Sequence, residues 1–140
     1  MAPQRRQHLT FRLPEQTLGR LDARAHQIRE TRTGLAERYL EEGLRMDEHP
    51  GIGFVDGPAG RRAVLVGTGL DVWGVIEVLL ANRRSTAATA RYLEVPEGRV
   101  REAVRYYGAF AAEIDEWLAR ARAAAEREEA VARRERAILG

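Results

Sequence analysis

Between residues 8 and 14 apolar and polar side chains alternate strictly: Leu9, Phe11 and Leu13 fall on one face, His8, Thr10 and Arg12 on the other, and Pro14 ends the run. A period of two predicts a half-buried strand. The period then changes. Leu18, Leu21, Ala25 and Ile28 recur at three and four residues and predict an amphipathic helix; Leu35, Ala36, Tyr39, Leu40 and Leu44 predict a second one behind an N-cap at Thr31 or Thr33. A lone strand leaves backbone donors and acceptors unpaired on both edges, and two short helices cannot satisfy them. The pattern therefore implies a second copy of the chain, with two strands forming an antiparallel ribbon over four helices.

The polar run 46–51, with Pro50-Gly51, separates this region from one patterned differently. Residues 53–56 and 61–66 flank Gly57-Pro58-Ala59-Gly60 and predict a β-hairpin. From Asp71, a candidate cap, Val72, Val75, Ile76, Leu79 and Leu80 make one helix face. Residues 86–103 space their apolar positions as a helix-turn-helix does: Ala90 where two helices cross, Leu93 and Val95 astride the turn, Val100 and Ala103 on the second helix. A glycine is usual where Glu94 stands. Residues 111–139 contain neither Pro nor Gly and place Glu116 before Arg120 and Glu129 before Arg133 at i,i+4 spacing, predicting one long helix. The expected fold is mainly α with short β, organised as a dimerising domain (1–46), a hairpin with a trihelical helix-turn-helix-like domain (50–114) and a C-terminal helix (111–140).

Charge sharpens this division. Basic residues number 23 and acidic 21 over 140 positions, and every basic residue is arginine. Residues 1–45 hold nine arginines against six acids, 46–110 eight against eight, and 111–140 six against seven. The excess lies at the front, where Arg5, Arg6 and Arg12 face no acid in the first twelve residues; such an arm attracts nucleic acid. The absence of cysteine excludes thiolate metal sites and thiol nucleophiles. The longest apolar stretch, 72–81, is interrupted by Gly74 and Glu77 and falls short of the ~20 residues of a bilayer span. With no secretory signal at the N-terminus, a cytoplasmic protein without a membrane partner is expected. His8, His26 and His49 are isolated, Ser85 is the only serine, and the glycine-rich DGPAG lacks the Gly-Lys-Ser/Thr ending of a phosphate loop. A binding protein, with no enzymatic activity, metal or cofactor, is the expectation.

LTFRLP, LGRLDARA and TRTGLAERYLEEGLR, together residues 7–45, resemble the ribbon-helix-helix family of bacterial DNA-binding proteins. The resemblance implies that the ribbon's outward residues, His8, Thr10 and Arg12, enter the major groove of double-stranded DNA, and that Thr31, Arg32 and Thr33 meet a phosphate at a helix N-terminus. Arg5 and Arg6 then serve as phosphate-contacting arm residues. Residues 49–114 resemble a small bacterial domain found in VapB-type antitoxins beside PIN-domain ribonuclease toxins; Val64, Val66, Gly67 and Thr68 keep its core motif, while Ala63 and Gly69 replace its usual Pro and Arg. Arg99, Arg101 and Arg105 on the second helix of the helix-turn-helix-like segment form a candidate second surface for DNA or a partner. The resemblance further implies a tail that binds a ribonuclease toxin, with Trp117, Leu118, Val131, Arg133, Arg134 and Arg136 as candidate contacts. The expected function is that of a homodimeric antitoxin repressing its own promoter. The alternatives are a stand-alone dimeric transcriptional regulator and an adaptor in which the ribbon serves only to dimerise.

Overall fold

The computed structural model describes residues 4–140; the first three residues of the first predicted domain lie outside the described residues. In chain order the elements are α1 (Glu15–Gln27), α2 (Arg32–Glu48), β1 (Ile52–Val55), β2 (Arg62–Leu65), β3 (Leu70–Asp71), α3 (Val72–Ala81), α4 (Thr86–Leu93), α5 (Glu97–Ala109) and α6 (Ala111–Leu139). The chain is mainly helical with one small antiparallel sheet. It divides into two compact units between Glu41 and Glu42, with α2 crossing the division. Among the described residues no helix is long and apolar enough to cross a membrane.

In the first unit α1 starts behind Pro14, whose carbonyl accepts from the Leu18 amide at 3.0 Å. It closes with Arg29 at φ 56°, where the amides of Arg29 and Glu30 return to the carbonyls of His26 and Ala25. The α2 cap is Thr31 rather than Thr33: its Oγ1 accepts from the Gly34 amide at 3.0 Å. Ala25 and Leu35 are the buried residues of this pair of helices, whereas Tyr39, Leu40 and Leu44 of the predicted apolar face stay exposed. The predicted strand is not one here. Residues 7–14 carry no strand assignment, because a ladder needs a partner and no strand pairs with them among the described residues.

The second unit holds the core. β1 pairs β2 antiparallel from Ile52↔Leu65 to Val55↔Arg62, and β2 pairs β3 through Val64↔Asp71 and Leu65↔Leu70. The hairpin of the sequence reading is thus an edge strand, β1, and the central strand, β2, of a three-stranded sheet. Its loop is closed by reciprocal amide-to-carbonyl bonds between Gly57 and Gly60 of 3.1 and 3.0 Å. The β2–β3 turn places Gly67 and Gly69 at φ 79° and 72°, a region glycine enters without steric cost. Val66 lies beyond β2 and is exposed.

Ile52, Ala63 and Leu65 from the sheet meet Val72, Val75, Ile76 and Leu79 of α3, Ala90 of α4, Val100, Ala103 and Tyr106 of α5, and Ile114 of α6. Two expectations about α3 are corrected. Asp71 precedes it without a side-chain cap bond; its carboxylate instead accepts from Arg62 Nε at 2.7 Å, across the β2–β3 ladder. Leu80 is 47% exposed, since Val75, Ile76 and Leu79 already fill the face toward the core. α4 is capped by Ser85, whose Oγ accepts from the Ala88 amide at 3.1 Å, and is closed by Glu94 at φ 58°. Leu93 and Val95 pack beside the core on either side of that residue.

Candidate functional site

Segment 7–13 lies against α1 and α2 and borders an open apolar groove of about 690 Å³, lined by Phe11, Leu13, Leu21, Ala36, Tyr39 and Leu40. Leu9 and Phe11 remain 71% and 56% exposed. The apolar half of the alternating segment and the outer face of α2 therefore form one continuous uncovered surface. Water in contact with that much apolar area is unfavourable, at ~25 cal/mol per Å².

On the polar side the structure brings His8 and Thr10 together. His8 Nε2 and Thr10 Oγ1 share a hydrogen bond of 2.8 Å, so both side chains point the same way, as the period of two requires. Arg12 and Arg5 are exposed and have no hydrogen-bond or ion-pair partner among the described residues. Arg6 is different: its Nη2 donates to Glu37 on α2. Arg32 is gripped too. Its Nε and Nη2 donate to the two carboxylate oxygens of Asp22 at 2.6 and 2.7 Å. That fork holds the Asp22 carboxyl below its ordinary range and the Arg32 guanidinium above its own, chiefly through the hydrogen bonds themselves. Thr31 spends its hydroxyl oxygen on the α2 cap, and Thr33 is exposed beside it.

In the second unit the three arginines of α5 separate. Arg99 was expected to face outward, but its side chain is only 23% exposed; its Nη2 donates to the Val66 carbonyl at 2.6 Å, and Nη1 lies 3.3 Å from Glu102. The sheet turn has captured it. Arg101 pairs with Glu97 one turn earlier at 3.0 Å, and Arg105 is exposed with no partner among the described residues. Arg83, Arg84 and Arg91, which the sequence reading did not select, are exposed near the ends of α3 and α4.

On α6, Trp117 and Leu118 are half-buried rather than free. Leu118 packs beside the core, and Arg120 lies 4.9 Å from the Trp117 ring centre while donating to the Ala59 carbonyl at 3.3 Å. Farther along, Val131 is exposed, Arg133 and Arg136 share Glu129 at 3.7 and 3.3 Å, and Arg134 has no partner among the described residues.

Sequence reasoning missed a polar knot in the second unit. Arg45 Nη1 donates to Tyr106 Oη and Glu113 Oε1, each at 2.8 Å, Tyr106 donates to Glu113 Oε2 at 2.8 Å, and the Arg45 guanidinium lies 3.8 Å from the Phe110 ring centre. His49 is buried edge-on to Tyr106 and Phe110. No local motif announces these contacts, since Arg45 and Glu113 are 68 positions apart. Also missed were Asp22 and Glu37, the acids that hold Arg32 and Arg6. Compared with known protein families, curated proteins and solved structures, the chain matches none.

Proposed function

We propose that this chain is a homodimeric, DNA-binding antitoxin whose first unit is half of a ribbon-helix-helix. The observation that carries the reading is the uncovered apolar surface of Leu9, Phe11, Leu13, Tyr39 and Leu40 beside a backbone segment with no strand partner. A second copy answers both needs: its segment 8–13 completes a ladder, and its helices cover the groove. The outward residues His8, Thr10 and Arg12 then lie on a two-stranded ribbon whose width fits the major groove. Thr10 and Arg12 read base edges, while Arg5, Arg6, Arg32 and the α2 N-terminus meet phosphates.

The second unit is read as a trihelical scaffold with a helix-turn-helix-like pair in α4 and α5. Since Arg99 is engaged with the sheet turn, Arg101 and Arg105 are what remains there of the proposed second surface for DNA or a partner. The exposed part of α6, with Val131, Arg133, Arg134 and Arg136, is the proposed toxin-binding segment. A helix with little apolar surface of its own gains order when a partner covers it.

The test measures binding of the full-length chain to the DNA upstream of its own gene, and copurification with the product of the adjacent gene. Salt-dependent binding to that DNA together with a tight complex supports the antitoxin reading. Binding without any complex favours a stand-alone regulator, and neither result leaves the ribbon as a dimerisation device alone. Because Leu118 packs beside the core, a variant that removes the tail should end at Arg122; it should keep DNA binding and lose the toxin.

A further inference from the structure

Two of the arginines assigned to phosphates are already occupied in the DNA-free chain. Asp22 offers Arg32 two anionic oxygens at 2.6 and 2.7 Å, which is the arrangement a phosphate offers to the same guanidinium edge. The Asp22 side chain reaches from α1 to the first residue of α2, where the Thr31 hydroxyl has taken one of the free amides. Glu37, farther along α2, holds Arg6 by a single bond, accepted by one carboxylate oxygen from Arg6 Nη2. The Arg32 and Asp22 side chains are 57% and 43% exposed, so a phosphate can reach the pair, and an exposed pair of this kind adds little to folding stability.

We propose that Asp22 and Glu37 are internal stand-ins for DNA phosphate, holding Arg32 and Arg6 neutralised until the DNA backbone displaces them. The inference rests on the ribbon reading above. Its consequence is a general reduction of affinity for DNA of any sequence, while readout by Thr10 and Arg12, which have no acidic partner among the described residues, is untouched. An arginine and its acid carry no net charge together, whether paired with each other or with the freed carboxylate left beside the DNA, so a masked arginine adds little to the salt dependence. Removing the acid restores that contribution.

The experiment measures binding of the full-length wild type, D22N, E37Q and D22N/R32A to the chain's own upstream DNA and to an unrelated duplex, between 0.05 and 0.3 M salt as rough limits. A control, E15Q, removes an acid of α1 that holds no arginine among the described residues. D22N is expected to bind both duplexes more tightly, with a log–log salt slope steeper by about 0.9, so that its advantage over the wild type changes by about fivefold between 0.3 and 0.05 M salt. The ratio between the two duplexes should not change, E37Q should behave alike, and D22N/R32A should lose the gain. Unfolding midpoints of D22N and wild type should coincide. Weaker binding by D22N would mean that Asp22 steadies Arg32 for DNA, and would overturn the proposal. So would a gain no larger than that of E15Q, or one that persists in D22N/R32A. If wild type and D22N bind neither duplex at the lowest salt, both the mask and the ribbon reading fall. Binding by the wild type with no change in D22N removes the mask alone.

Discussion

Tyr106 donates its hydroxyl proton to Glu113 across 2.8 Å, joining α5 to the start of α6 in a place where the tyrosine side chain has no contact with solvent. Burial, and then the hydrogen bond to Glu113, push ionisation of Tyr106 well above the ordinary tyrosine range. Its proton is held more tightly in the folded chain than in the unfolded one. The stability that this contributes is fully present below pH ~10, where unfolded tyrosine ionises, and is lost as the pH rises beyond it.

Tyr106→Phe should therefore cost about 1.5–3 kcal/mol at neutral pH, the net worth of an internal hydrogen bond to a charged group. It should also flatten the fall in stability above pH ~10. Urea unfolding of both forms at neutral and alkaline pH checks this; parallel curves across the range would show that Tyr106 ionises as freely as a surface tyrosine.

Phe11→Asp should convert a dimer into a monomer, because it sets a charge into the surface that two copies are proposed to share. Sedimentation of the full-length chain reads the change directly. A wild-type chain that stays monomeric at micromolar concentration contradicts the shared ribbon.

Thr10→Ala and Arg12→Ala should each weaken binding to the chain's own upstream DNA by about 1–3 kcal/mol, with much smaller effects on unrelated DNA. Arg5→Ala should lower affinity for both and reduce the salt slope by about one. Anisotropy titrations on two duplexes separate the roles. Equal losses on both duplexes for Arg12→Ala would assign it to phosphate instead.

Glu94→Gly should stabilise the second unit by up to about 1 kcal/mol, since a side-chain-bearing residue at φ 58° occupies a conformation that glycine adopts without penalty. Thermal unfolding measures it. A destabilised variant would mean that the Glu94 side chain has a role beyond closing α4.

The changes of period along the chain made most elements legible. α6 runs over the residues its composition marks, because nothing between 111 and 139 interrupts helical hydrogen bonding. β3 escaped notice because two residues cannot display a period. Helix ends were harder to read: Arg29, Arg83, Arg84 and Glu94 take the left-handed backbone at or beside the ends of α1, α3 and α4, so the usual glycine signal is missing. Asp71 has the composition of a cap, yet Arg62 lies across the ladder and takes its carboxylate. Of the candidate site, the common direction of His8 and Thr10 follows from alternation alone. The capture of Arg32 by Asp22 depends on the chain reversal between α1 and α2, which periodicity does not display, and that of Arg99 by the Val66 carbonyl on packing between positions 33 residues apart.

Beyond Arg122, α6 is sustained by its own backbone bonds and by ion pairs such as Glu129 with Arg133. A helix supported in that way opens from its end without any loosening of the core. Its amide protons should exchange with solvent far sooner than those of α3. A trypsin-like protease should cut after Arg127, Arg133, Arg134 or Arg136 at a rate set by this local opening, while the core stays closed. Tail and core thus carry separate lifetimes in one molecule, and a ligand that covers the tail lengthens the shorter of the two without altering the other.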